Sequence, residues 1–420
     1  MRLIYTAILY LLTPLVMLRL LWRSRADPDY RRRWPERFGF GSTQRRPGAI
    51  WVHAVSVGEV QAAVPLIRSL RECDPALPLV VTTTTPTGSR HVRRVFGQDV
   101  IHVYIPYDLP GAVRRFLRRV RPRLLIVMET EIWPNLYHWC RRADIPVVLA
   151  NARLSERSAA GYARVPGLVR DTLDCLAAIA PQSQLDAARL LALGADPRRV
   201  SVTGNLKFDV RLPASLLEQA QALRRALGTN RAVWIAASTH EGEDEQVLKA
   251  HAAVRERIHD ALLVLVPRHP ERFARVAALC RRLGYETVVR SAGGPCLPRT
   301  AVFLCDTMGE LPAFYGASDL AFVGGSLAPA GGHNLLEPAA LGVPVLTGPH
   351  MDNFLEVTEL MLQAGAARTV DGSDALAGAV TEWLQNAPLR HRAGEQGRAL
   401  VERNRGSLER LLAVLAPYLD

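Results

Sequence analysis

Lysine is almost missing from this 420-residue chain: Lys207 and Lys249 are the only two among 52 basic residues. An arginine bias on that scale reflects overall composition more than site chemistry. Single arginines therefore carry little weight, and a lysine that survives the bias stands out. Cysteine is sparse, at positions 73, 140, 175, 280, 296 and 305, and no two form a Cys-x-x-Cys pair. That spacing excludes a zinc ribbon and a disulfide framework, and it fits reduced, mostly buried thiols in the cytosol. Asp-x-Asp occurs literally only at Asp27-Pro-Asp29, so no metal–diphosphate site is evident. His240 has three acids nearby, but their spacing matches no standard metal site, and we expect neither metal nor cofactor. There is no low-complexity segment, and 49% apolar with 22% charged residues is an ordinary globular balance. The length suits two domains.

The formal charge is +12. It implies acidic partners: nucleic acid, anionic lipid, or a phosphorylated or carboxylated substrate. One long apolar run exists. Leu3 to Trp22 is apolar apart from Thr6, Thr13 and Arg19, and twenty helical residues span about 30 Å, one hydrocarbon core. Arg19, Arg23, Arg25, Arg31, Arg32, Arg33 and Arg37 follow, whereas only Arg2 precedes. The positive-inside rule keeps the body of the chain cytoplasmic. Residues 1–22 read as a membrane-anchor helix, either spanning the bilayer or lying on it, with a signal peptide and a buried core helix as the alternatives. Residues 23–47 form a basic juxtamembrane segment against anionic headgroups of the inner membrane.

Beyond residue 48, short Val/Ile/Leu runs alternate with helical stretches. The runs are 50–55, 79–84, 101–105, 124–128, 147–150, 177–180 and 200–203, then 233–237, 262–266, 287–289, 301–304, 320–323 and 343–346. Continuous apolar runs between helices indicate parallel strands covered on both faces. The fold class is α/β, with two doubly wound Rossmann-like domains at 48–210 and 231–420 and a linker helix within 211–230. The amphipathic carboxyl-terminal helix, about 407–419, could dock on either half. Ligands of such sheets bind beyond the strand carboxyl ends, and two domains facing a cleft suit one substrate each.

Strand ends therefore carry the candidate chemistry. Glu59, after His53-Ala-Val-Ser-Val-Gly58, lies near a helix amino terminus. It could take a proton from a hydroxyl or merely cap the helix. The helix dipole there favours its ionised form. Thr82 to Ser89 offers hydroxyls and a helix start for an anion or a sugar, or an ordinary capped turn. Glu129 and Glu131 close another strand beside Trp133 and Asn135; one of them carries a raised pKa or pairs with Lys207. Lys207 follows Gly204-Asn205-Leu206 at the last strand end of this half, where an ammonium stabilises phosphate or carboxylate charge unless it pairs with Asp209 or Glu131.

In the second half, Ser238 to Glu243 reads as a cap and an anion-facing helix start. Pro267, Arg268 and His269 suit a nucleotide's phosphate or base. Met308, Gly309 and Glu310 precede a further helix. The strongest signal is Gly324-Gly-Ser326 followed by Gly331-Gly-His-Asn-Leu-Leu-Glu337-Pro338. Its glycines would let backbone approach a phosphate, a helix starting near His333 would face the donor, and Glu337 would accept two ribose hydroxyls.

Taken in order, the following string resembles the Kdo (3-deoxy-D-manno-oct-2-ulosonic acid) transferases of lipopolysaccharide synthesis: the anchor, Arg37-Phe-Gly39, His53-Ala-Val-Ser-Val-Gly-Glu59, Met128-Glu-Thr-Glu-Ile-Trp-Pro-Asn135, Gly204-Asn-Leu-Lys-Phe-Asp209, Pro267-Arg-His-Pro-Glu-Arg-Phe273, Met308-Gly-Glu310 and Gly332-His-Asn-Leu-Leu-Glu-Pro338. The resemblance implies a GT-B fold, with an acceptor-binding amino-terminal domain and a donor-binding carboxyl-terminal domain. It implies an inverting glycosyltransferase that moves Kdo from CMP-Kdo to the tetraacyl lipid A precursor and releases CMP. Glu59 would be the general base, and Glu129 (rather than Glu131) and Lys207 would stabilise the transition state. Pro267, Arg268, His269, Met308, Gly309, Glu310, Asn334, Leu335, Leu336 and Glu337 would hold CMP. The partners are then CMP-Kdo, the lipid A precursor and anionic lipid, with no nucleic acid. The competing readings are a nucleotide-sugar epimerase on the same fold, a membrane-associated transferase using a UDP-sugar, and a non-catalytic lipid-binding protein.

Overall fold

A computed structural model describes residues 1–25, 27–41, 47–210 and 212–419. The chain forms two compact units, Met1–Asp209 with Arg405–Asp420, and Val210–Asn404.

In the first unit β1 (Ala49–His53), β2 (Leu79–Thr83), β3 (Ile101–Tyr104), β4 (Pro122–Met128), β5 (Val147–Ala152) and β6 (Ala178–Pro181) build one sheet, in the order β3-β2-β1-β4-β5-β6. Every pairing is parallel. The apolar runs are continuous because both faces are covered: Ile50 and Val52 enter one core cluster, Ala49 and Trp51 the other. Strand order reverses between β1 and β4, where His53 lies beside Val127. In a doubly wound sheet that switch point opens the crevice at the strand carboxyl ends.

The second unit has β7 (Val233–Thr239), β8 (Leu262–Pro267), β9 (Thr287–Val289), β10 (Val302–Leu304), β11 (Leu320–Val323), β12 (Val345–Thr347) and β13 (Ala367–Thr369). Their order is β13-β12-β11-β7-β8-β10-β9, all parallel, with the switch point between β7 and β11.

Four expectations change. The run 200–203 is no strand. It touches the edge of β6 through one bridge, Val200 to Ile179, with Ser201 and Thr203 amides donating to Ile179 and Pro181 carbonyls. β13, with Arg368 in its middle and little burial, lacks the apolar run that betrays the other strands. The expected linker helix spans Leu216–Leu227 and is part of the second unit: Leu216, Ala220 and Leu227 are buried, and Arg224 pairs with Asp319 at 3.1 Å. The last helix, Ser407–Leu415, leaves the expected 231–420 domain for the first unit. Leu408, Leu411 and Leu415 join the core beside Ile50, and the Asp209 carboxylate accepts the amides of Gly406 and Leu408 at 2.7 and 2.5 Å.

The amino-terminal helix runs Arg2–Arg23, long and apolar enough to cross a membrane. Both of its ends nevertheless bear on the first unit. Arg2 and Thr6 donate to Asn135 Oδ1 at 3.2 and 3.1 Å, Tyr5 Oη donates to Asp108 at 3.0 Å, and Leu20 is buried at the far end. Its outer side exposes Leu3, Leu11, Leu15, Leu18 and Trp22. Part of the basic run turns inward as well. Arg37 is buried, donates to the Thr84 carbonyl at 2.9 Å and lies over Tyr104, while Arg33 pairs with Glu36 at 2.6 Å. Arg19, Arg23, Arg25, Arg31 and Arg32 stay exposed.

Candidate active site

At the β1–β4 switch point, Ser56 caps the helix Val57–Cys73 by accepting the Glu59 amide at 3.3 Å. The Glu59 carboxyl reaches back to accept from the Val55 amide at 2.8 Å and the Ser56 hydroxyl at 3.2 Å. This resembles a capping box shifted by one residue, the carboxyl taking the amide before the Ser56 cap, so the capping role is real. The dipole and these donors do not decide its protonation. Burial first, then the Glu129 charge, and after these Glu131, push Glu59 up to about 8. A carboxyl that titrates near neutrality is suited to accept a proton from a hydroxyl.

β4 ends at Met128, and Glu129 follows with φ +58°, a left-handed conformation that is strained for a residue with a side chain. The two strand-end carboxylates divide their partners. Glu129 lies 3.8 Å from Lys207 Nζ, with both side chains largely buried. Glu131 accepts the Trp133 indole N–H at 2.6 Å, and burial holds its carboxyl above the usual range. Asp209 leaves Lys207 alone and caps the last helix. Two asparagines hold the short turn Leu206–Phe208 that carries Lys207: Asn151 Oδ1 accepts the Leu206 amide and Asn205 Oδ1 the Lys207 amide, each at 3.0 Å. Asn151 also has positive φ, at +51°.

The threonine run offers no free cradle. Thr82 accepts from the Trp51 indole, Thr83 pairs with His102, Thr84 donates to the Val55 carbonyl, and Thr85 caps the helix Pro86–Phe96. The capped-turn reading holds.

At the β7–β11 switch point the glycine loop is already occupied by the chain itself. Glu243, fully buried, accepts five amides: His240 and Gly325 on Oε2 at 2.8 and 2.7 Å, and Ser326, Leu327 and Ala328 on Oε1 at 2.9, 2.8 and 3.2 Å. The anion at this helix start is internal, which corrects both the anion-facing helix and the phosphate-facing Gly324–Gly325 backbone. Glycine is required at 324 because a Cβ would come within 2.9 Å of the Ser238 carbonyl and 3.0 Å of Glu243. The acids near His240 diverge: Glu241 pairs with Arg275, and Asp244 with Arg272 and Thr239.

Around that loop, the Arg268 amide donates to the Thr239 carbonyl at 3.0 Å. His240 and His333 are joined Nε2 to Nε2 at 2.9 Å, and the His269 ring meets His240 edge-on. Burial, followed by the Arg268 charge, holds His333 down to about 3. Glu337 accepts from Asn334 Nδ2 at 3.2 Å, and burial raises its carboxyl. The helix here begins at Leu336, not His333, and lasts only to Ala340. Glu310 pairs with Arg290 at 2.8 Å and accepts from the Thr307 hydroxyl, so its carboxylate is committed, whereas Met308 is exposed.

Residues 32–210 match the family described as 3-deoxy-D-manno-octulosonic-acid transferase (kdotransferase), and residues 218–400 match glycosyl transferases group 1. A 3-deoxy-D-manno-octulosonic acid transferase from Haemophilus influenzae is 43% identical over 422 residues, covering 100% of this chain and 99% of its own. The chain belongs to the Kdo transferase family. It is a glycosyltransferase. A family member from Bordetella pertussis is 40% identical, over 99% of each chain. Among solved structures, a glycosyltransferase from Rickettsia africae matches with TM-score 0.50 and 15% identity, over 89% of this chain and 100% of its own. The UDP-GlcNAc 2-epimerase of Neisseria meningitidis matches with TM-score 0.52 and 14% identity, over 88% and 100%. These two show the shared GT-B fold alone; whole-chain sequence identity lies with the Kdo transferases.

Within the family frame, the first unit brings Glu59, Glu129, Glu131 and Lys207 into one electrostatic cluster. The second unit groups Arg268, His269, His333, Asn334 and Glu337, with His240 added. Sequence reading left Asn151, Asn205 and Glu243 without a role. Asn205 stands in the quoted Gly204-Asn205-Leu206 motif and Asn151 near the end of β5, and their signal is position. Glu243 was legible only as one of several acids, because four of its five partners lie 82 to 85 residues away.

Proposed function

We propose that the chain transfers Kdo from CMP-Kdo to a hydroxyl of the tetraacyl lipid A precursor, inverting the anomeric carbon and releasing CMP. One observation carries this reading, the end-to-end 43% identity to a 3-deoxy-D-manno-octulosonic acid transferase; the Glu59 carboxyl at the first switch point, raised to about 8 by burial and then by its neighbouring acids, supports it. Glu59 takes the proton from the attacking glucosamine hydroxyl. Lys207, paired with Glu129, offers positive charge as charge develops. Pro267, Arg268 and His269, the exposed loop at Met308 and Gly309 with the Glu310 backbone, and Asn334 to Glu337 hold CMP. Arg268 faces the phosphate, and Glu337 faces the ribose.

The body of the enzyme works on the cytoplasmic face of the inner membrane. We take the helix Arg2–Arg23 to lie in the membrane plane; the bonds of its first turn to Asp108 and Asn135 and the burial of Leu20 near its other end support this. Its apolar side faces lipid and the exposed arginines face headgroups.

The test is incubation of the purified full-length chain with CMP-Kdo and the lipid A precursor, following CMP release and product mass. Release of CMP with a matching mass gain supports the proposal; a nucleotide left intact refutes it. Glu59→Gln should abolish turnover and leave CMP binding in place.

A further inference from the structure

Beside the carboxylates of the first unit lies an apolar pocket of about 310 Å³, within the range of small-molecule sites. One wall is the start of the helix Arg2–Arg23, with Ile4 and Ile8. The others are Ile132 and Pro134, which follow β4, and Tyr162 and Val169 from the helical segment beyond β5.

Three observations identify its occupant. First, the pocket is continuous with the lipid-facing side of the helix: Ile4 and Ile8 line it while remaining 61% and 50% exposed. Second, its inner end abuts the site. Ile132 is next in sequence to Glu131, whose charge raises Glu59, and Trp133 between Ile132 and Pro134 donates to Glu131. Third, the wall is fixed and not loosely apposed. Tyr5, Arg2 and Thr6 bond Asp108 and Asn135, and Asp108 in turn accepts the amides of Asn135 and Leu136 at 3.0 and 2.6 Å. A fixed apolar pocket takes hydrocarbon in preference to water.

We infer that this pocket is an acyl-chain subsite: it receives one fatty acyl chain of the acceptor lipid and so places the acceptor's sugar hydroxyl at Glu59. The inference rests on the lipid acceptor proposed above and specifies how that lipid is recognised. The helix Arg2–Arg23 is then part of the substrate site as well as an anchor.

The test compares the tetraacyl acceptor with its fully deacylated bisphosphorylated disaccharide, using full-length enzyme in detergent. Val165→Trp, at a half-buried lining position, fills the pocket. Excluding about two methylenes should raise KM for the tetraacyl acceptor about tenfold and leave kcat/KM for the deacylated one unchanged. Equal loss on both acceptors, or loss on neither, overturns the subsite. As a measurement independent of any variant, a precursor carrying a photoreactive group at the end of an acyl chain should label residues 1–8, 132–134 or 162–172 of the wild-type chain. Labelling only elsewhere, or equal labelling by a photoreactive phosphatidylethanolamine, overturns it. Failure of the parent reading looks different: the wild-type enzyme would then release no CMP with either acceptor.

Discussion

The protonation of Glu59 has consequences for both rate and stability, and a single substitution reads both. With its carboxyl at about 8 instead of the ordinary 4.5, about one molecule in ten carries the ionised base at pH 7. The log of kcat/KM for the acceptor should therefore climb with slope one through neutrality and level off near pH 8. The same shift costs stability. Below pH 4.5 the carboxyl is protonated in both folded and unfolded chains, and burial carries no ionisation penalty. As pH rises from there, the unfolded chain ionises first and folding loses about 1.4 kcal/mol per pH unit, about 3 kcal/mol by pH 7, until the folded carboxyl ionises near pH 8. Glu59→Gln keeps the shape and removes the titration. Its stability relative to wild type should rise by about 3 kcal/mol between pH 4.5 and 7, in urea unfolding followed by tryptophan fluorescence, while turnover disappears. A pH-independent stability difference would refute the raised carboxyl. A rate profile already flat at pH 6 would refute its role as the base.

Three further outcomes follow from the same geometry. Glu129→Gln removes the second cause of the Glu59 shift and should move the rising limb of the rate profile to lower pH, along with a loss of kcat from the unpaired Lys207; an unmoved limb would show that Glu129 does not act on Glu59. Glu243→Gln turns a donor toward amides that now find a carboxylate. It should destabilise the second unit by about 3 kcal/mol and weaken CMP binding in calorimetry, whereas binding and stability like wild type would mean the five amides need no anion. Asp209→Ala unbinds the amides of Gly406 and Leu408 and should lower stability by about 1–2 kcal/mol, with faster hydrogen exchange confined to the last helix; unchanged exchange there would exclude the cap.

The strands of both sheets were legible because residues buried on two faces must be apolar without interruption, and twelve of the thirteen strands among the described residues fall on such runs. β13 escaped, being short and half-exposed, and 200–203 misled, because an apolar run beside an edge strand makes only two ladder bonds. The candidate residues were legible by type and by position after apolar runs, Lys207 after one that is no strand. What each does with its partners was not. The dipole argument for Glu59 is local, and it is outweighed first by burial and then by the charges of Glu129 and Glu131, which follow β4 far along the chain.

The chain by itself determined two α/β halves and an apolar first helix, and it singled out Glu59, Glu129, Lys207 and Arg268 as candidate polar residues. All of these follow from period, glycine turns and residue type, which are short-range properties. Only the tertiary structure decided that Lys207 faces Glu129 and not Asp209, that Glu243 fills the glycine loop, that the last helix returns to the first unit, and that the first helix lies down on Asp108 and Asn135. Each of these depends on a buried polar group finding its partner across tens to hundreds of residues, and sequence spacing does not encode which partner is in reach.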